Sequence, residues 1–140
     1  MSPPFAVRGL GEIAIRCADL GAMFAFYRDV IGLAVLRPPQ GGIAFFSLGA
    51  GHAGHITVLA LFRGEAGAPP AAGAGSSLHH LALDVDFDAQ EAAIAWLAAQ
   101  GLTPRVEIFG WVGWRGVFVT DPEGNTVELV AHHPSLISPG

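Results

Sequence analysis

The ten residues Leu78–Phe87, LHHLALDVDF, decide how this chain folds. Alternation with period 2 turns Leu81, Leu83 and Val85 to one side of a strand and His80, Ala82 and Asp84 to the other. The same alternation runs through Leu10–Asp19, LGEIAIRCAD, displaced by 68 residues (80 − 12), so Glu12 stands where His80 stands. A repeated unit of this length reorganises every later assignment. Beyond the two strands, DLGAMFAFYRDVIGL ending at Leu33 matches DAQEAAIAWLAAQGL ending at Leu102, displaced by 69 (102 − 33).

Both fifteen-residue stretches read as amphipathic helices closed by Gly-Leu. Met23, Phe24, Phe26, Tyr27, Val30 and Ile31 form the apolar stripe of the first, and Ala92, Ala93, Trp96 and Leu97 that of the second. Gly32 and Gly101 suit the left-handed residue that ends a helix. Strand-like segments follow in each half: GIAFFSLG (42–49) and TVLALF (57–62), then WRGVFVTD (114–121) and TVELVA (126–131). Each half is read as β–α–β–β–β, one strand more than the segments quoted, giving an α+β chain of 140 residues as one domain built of two βαβββ modules, 9–63 and 78–133. The Gly-, Ala- and Pro-rich stretch 64–77 reads as a flexible linker. DPEGN, Asp121 to Asn125, has the residues of a tight turn leading into the last strand.

Composition narrows the function classes. Hydrophobic residues make up 51% of the chain and charged ones 14%, as in a globular domain that buries most of its apolar side chains. A net charge of −5 with no Lys/Arg cluster argues against nucleic acid or an anionic membrane surface as partner. Apolar runs are interrupted well short of the roughly 18 residues a membrane span needs. The N-terminus lacks the charged and apolar regions of a signal peptide, and the lone cysteine, Cys17, cannot form an internal disulfide. These readings place the protein in the cytoplasm. Cys17 reads as a small buried apolar residue.

The stretches IRCADLGAMFAFYRDVIGL, LHHLALDV and FVTDPEGNTVELV together resemble the vicinal oxygen chelate superfamily. That superfamily contains glyoxalase I, the fosfomycin and bleomycin resistance proteins, methylmalonyl-CoA epimerase and extradiol dioxygenases. The resemblance spans about Leu10 to Ala131. It implies paired βαβββ modules with curved sheets around a cleft, a homodimer, and a divalent metal held by residues on the first and last strands of the modules. Carried over by position, the implied ligands are Glu12, His80 and Glu128. Glu12 departs from the His or Gln expected there, and a fourth ligand used by glyoxalase I falls at about Leu59.

The residues support a site independently. Glu128 interrupts the apolar strand Thr126–Ala131, where a lone buried charge costs several kcal/mol unless it has a partner. Two carboxylates and one imidazole make a nearly neutral set around a divalent ion and suit Fe, Mn, Ni, Co or Zn, with positions left for substrate oxygens. The competing arrangement is a metal-free cleft in which Glu128 hydrogen-bonds His80 and Glu12 is solvated. His79 reads as an edge residue or one supporting a ligand, His132 and His133 as surface residues, and His55 as a loop residue able to stand in for the ligand missing at Leu59. Trp111, Trp114, Arg115, Phe46 and His55 are the candidate substrate-binding residues, aromatics with one cation for an apolar substrate carrying a carboxylate or enolate.

Two functions follow. One is a metal-dependent enzyme of lyase, isomerase or extradiol dioxygenase type acting on a small oxygen-chelating substrate, with Glu128 or Glu12 as base. The other is a metal-free small-molecule-binding protein of the bleomycin-resistance type.

Overall fold

The computed structural model describes residues 1–65 and 70–139, in two compact units, Met1–Pro70 and Ala71–Gly140. Part of the expected linker, residues 66–69, lies outside the described residues. Gly73–Gly75 forms a short 3-10 turn before the second repeat begins.

In the first unit, β1 (Glu12–Cys17) leads into α1 (Leu20–Ala25), which is followed by β2 (Ala34–Gln40), β3 (Ile43–Ala50) and β4 (Ile56–Arg63). The sheet order is β1-β4-β3-β2, with β1 parallel to β4 and the other pairs antiparallel. The second unit repeats the plan with β5 (Leu81–Asp84), α2 (Gln90–Ala99), β6 (Arg105–Phe109), β7 (Trp114–Thr120) and β8 (Thr126–His132), in the order β5-β8-β7-β6. Among the described residues no helix is long and apolar enough to cross a membrane.

Asp19 caps α1 by accepting a hydrogen bond from the Ala22 amide at 3.0 Å. The helix then widens into a π turn over Phe26–Val30, and Gly32, at φ +83°, releases the chain. Leu20, Met23, Phe24, Phe26 and Tyr27 are buried as the stripe requires. On α2, Leu97 is buried but Trp96, expected in the stripe, stays about half exposed, and Gln90 is buried instead. Gln90 fastens the helix to the sheet by donating from Nε2 to the carbonyls of Arg115 (2.7 Å) and Leu129 (3.1 Å).

Each sheet thus has a helix-covered face, which holds the core, and a helix-free face. In the first unit Ile15, Cys17, Phe46, Leu59 and Leu61 lie under the helix, and Phe46 stacks on Phe24 with ring centroids 5.3 Å apart. In the second, Leu81 and Leu83 pair with Val127 and Leu129 on the same kind of face. The strands β2 and β6 are edges, and β2 tolerates Pro38 and Pro39 because it needs ladder bonds on one side only.

Both ladders pair first and last strands at the same separation (59 − 13 and 127 − 81), so the face each helix covers sets the register of the repeat. Ile13 pairs with Leu59 and Leu81 with Val127, an offset of 68 in both strands (81 − 13 and 127 − 59). Glu128 pairs with Ala82 and Phe118, and its counterpart Ala60 pairs with Ala14 and Phe45. Matching the pairs Thr57-Val58 and Thr126-Val127 by sequence alone gives an offset of 69 (126 − 57), which would set Leu59 opposite Glu128. One residue of slip exchanges the faces of a strand. Leu59 is a fully buried core residue beneath α1, and the position corresponding to Glu128 is Ala60.

Candidate functional site

Glu128 is placed by a hairpin whose turn is built from side-chain bonds. Asp121 Oδ1 accepts from the amides of Glu123 (2.9 Å) and Asn125 (3.0 Å), and Asn125 Nδ2 donates to Asp121 Oδ2 (2.9 Å). From that fixed turn the β7–β8 ladder puts Phe118 directly across from Glu128, on the helix-free face. Ala82 flanks Glu128 on the other side, and its small side chain leaves the carboxylate room.

His80 stands immediately before β5, and its Nε2 lies 3.1 Å from Glu128 Oε1. The imidazole is 35% exposed and the carboxylate only 5%. Glu128 Oε2 is buried and has no hydrogen-bond partner among the described residues. Gly116, diagonal to Glu128 on β7, explains how that oxygen is accommodated. A methyl group there would run into Glu128 Oε2 and stand only 2.8 Å from Phe118 Cε2 and 3.0 Å from Glu128 Cδ. The glycine therefore keeps open the space into which the carboxylate projects.

Burial holds the Glu128 carboxyl above the usual carboxylate range. The adjacent His80 works against this shift, Glu107 reinforces it, and Arg105 opposes it. Phe118 lies between two cationic or ionisable groups. The His80 ring meets it edge-to-face at 6.1 Å, and the Arg105 guanidinium sits 4.5 Å from its centroid while pairing with Glu107 at 2.6 Å. Phe118, Gly116 and Arg105 were not singled out in the sequence. The turn DPEGN could have found Phe118, because residues equidistant from its centre pair across the hairpin.

A sequence profile of the Glyoxalase/Bleomycin resistance protein/Dioxygenase superfamily matches residues 9–129. The chain belongs to this superfamily. A glyoxalase/dioxygenase from Nostoc punctiforme has the same fold, with 24% identity over 95% of this chain and 97% of that one and a TM-score of 0.71. A lactoylglutathione lyase from Agrobacterium tumefaciens gives 24% identity, 93% and 96% coverage and a TM-score of 0.63. A mutant of the fosfomycin resistance protein FosX from Listeria monocytogenes, complexed with Mn(II) and 1S,2S-dihydroxypropylphosphonic acid, gives 16% identity, 94% and 95% coverage and a TM-score of 0.65. At these identities the likeness establishes the glyoxalase-superfamily fold. No curated protein sequence matches the chain.

Within this glyoxalase-superfamily fold the other expected site residues divide by strand parity. Glu12 is exposed at the start of β1 and pairs with Val58, placing it on the helix-free face of the first unit. Trp114 shares the helix-free face with Phe118, and Trp111, in the turn before β7, is 80% exposed with its ring 6.4 Å from that of Trp114. Phe46, Arg115 and His55 lie away from the helix-free face. Phe46, fully buried, belongs to the core beneath α1, and its neighbour Phe45 takes the other face. Arg115 points to the helix side, where it pairs with Glu91 at 2.7 Å and is only 18% exposed. His55 packs over Gly11, on the same parity as Leu59 and opposite to Glu12, with Cε1 3.4 Å from where a Gly11 Cβ would stand.

Proposed function

We propose that His80 and Glu128 hold a divalent metal ion and that the protein is a metal-dependent enzyme acting on a small substrate that chelates through two oxygens. The observation carrying this reading is the state of Glu128. One oxygen meets an imidazole nitrogen at 3.1 Å, and the other is buried without a partner beside the space Gly116 leaves. Burying an unpaired carboxylate oxygen costs on the order of 1–3 kcal/mol, a cost that a cation at the site would offset. His80 would hold the ion through its imidazole nitrogen and Glu128 through a carboxylate oxygen, two donor types common to divalent-metal sites. Within neither unit do three His, Cys, Asp or Glu side chains gather among the described residues.

A bound divalent ion supplies Lewis-acid polarisation of substrate oxygens. The chain's own residues do the rest. Trp114, 43% exposed, offers aromatic surface on the face where Glu128 stands, and Phe118 packs beneath the same site. In the metal-free protein burial makes Glu128 hold a proton more firmly than a solvated carboxylate does. The direct His80–Glu128 contact favours a second reading, a metal-free cleft that binds its ligand without turnover, because the pair already satisfies one carboxylate oxygen.

Acetohydroxamate, a small two-oxygen chelator, separates the two readings by calorimetry. The metalloenzyme reading predicts that it binds protein loaded with Mn²⁺ and fails to bind after the ion is stripped. Equal binding with and without the ion would overturn that reading in favour of the metal-free cleft.

A further inference from the structure

We propose that His79 is a positioning residue, holding the His80 imidazole through a hydrogen bond between their Nδ1 atoms so that His80 Nε2 faces Glu128. Its functional consequence rests on the metal-site reading above, but the hydrogen bond itself does not. Neighbouring residues of a regular strand point to opposite faces. His79 and His80 escape that rule because β5 begins only at Leu81. Ser76 Oγ accepts from the Leu78 amide at 3.0 Å and shapes the approach, and the two rings meet at 75° with Nδ1 atoms 2.8 Å apart.

Three contacts then define where the His80 ring lies: His79 at Nδ1, the Phe118 ring beside it, and Glu128 at Nε2. With about a third of the imidazole exposed, packing alone leaves it rotamer freedom, and the bond from His79 removes that freedom. An imidazole nitrogen is a donor in one tautomer and an acceptor in the other. His79 can therefore keep its bond to either tautomer of His80. When His80 Nε2 carries hydrogen, it donates to Glu128 while Nδ1 accepts from His79. When Nε2 presents its lone pair, as a metal ligand must, Nδ1–H donates to His79. A backbone carbonyl in the place of His79 could only accept. The two adjacent histidines thus divide the work, with His80 meeting Glu128 and His79 setting its direction.

The test uses full-length protein labelled with ¹⁵N-histidine, compared with His79→Phe, which keeps an aromatic ring without a nitrogen, and His79→Asn, which keeps a donor and an acceptor. In metal-free wild-type protein a ¹⁵N–¹⁵N coupling between the two Nδ1 atoms should be visible, and Zn²⁺ titration should show affinity falling about 10- to 100-fold in His79→Phe but staying within about threefold in His79→Asn. Absence of the coupling in folded wild-type protein would overturn the proposal, as would Zn²⁺ affinity in His79→Phe equal to wild type. If wild-type protein takes up no Zn²⁺ at all, the metal reading falls, and the coupling alone decides whether His79 holds His80.

Discussion

Replacing Gly116 with Ala puts one methyl group into the space that Glu128 and Phe118 share. Carbon atoms pack best at about 3.5–4.0 Å. The new Cβ would lie 2.8 Å from Phe118 Cε2 and 3.0 Å from Glu128 Cδ, and closer still to Glu128 Oε2. The β7–β8 ladder fixes both backbones, so the side chains must give way. Overpacking of this kind costs about 1–3 kcal/mol, or roughly 4–12 °C in Tm for a chain of this size. Glu128 has the more flexible side chain, and its movement would break the 3.1 Å approach to His80. Thermal unfolding and Mn²⁺ titration of Gly116→Ala, Glu128→Ala and the double variant form a cycle that isolates the effect. The methyl should cost at least about 1 kcal/mol less in the Glu128→Ala background than in wild type, and Gly116→Ala alone should bind Mn²⁺ at least about tenfold more weakly. A Gly116→Ala protein as stable as wild type, with unchanged affinity, would show that Glu128 does not need the space at Gly116.

Two other perturbations test the same structure. Because burial raises the Glu128 carboxyl in the folded state, that state binds its proton more readily than the unfolded chain does, and stability falls as pH rises through the raised value. Measured by urea unfolding of metal-free protein, Glu128→Gln should gain on wild type as pH rises through and above the ordinary carboxylate range, with the difference constant at lower pH; a difference that shrinks with rising pH would contradict the assignment. Phe46→Ala should cost about 3–5 kcal/mol while leaving the Mn²⁺ affinity of the folded protein unchanged, since Phe46 lies in the core beneath α1.

Periodicity and turn chemistry made much of this fold legible. The apolar alternation around Glu12 and His80 locates β1 and β5, and Gly32 and Gly101 mark the helix ends with the expected positive φ. The edge strands gave weaker signals: β2 carries two prolines and is exposed along its length, and β6 is five residues long. Face assignment failed where both neighbours are apolar. Phe45 and Phe46, or Val58 and Leu59, look alike in sequence, and only ladder pairing shows which of each pair meets the helix. Arg115 misled for another reason. A cation beside tryptophans suggests a ligand, yet its strand parity sends it to the helix side to meet Glu91. His80 and Glu128 were legible because a histidine and a carboxylate stand at alternation positions where apolar residues would otherwise be ordinary. The bond between His79 and His80 left no such mark, since strand alternation predicts that neighbours diverge.

The most direct test of the central claim is elemental analysis of untagged protein purified without chelator, alongside His80→Ala and Glu128→Gln. Wild-type protein should carry close to one equivalent of Fe, Mn, Ni, Co or Zn per chain, and both variants should lose it. Wild-type protein that carries no such ion and takes up none when offered, or variants that retain it in full, would contradict the assignment of His80 and Glu128 as metal ligands.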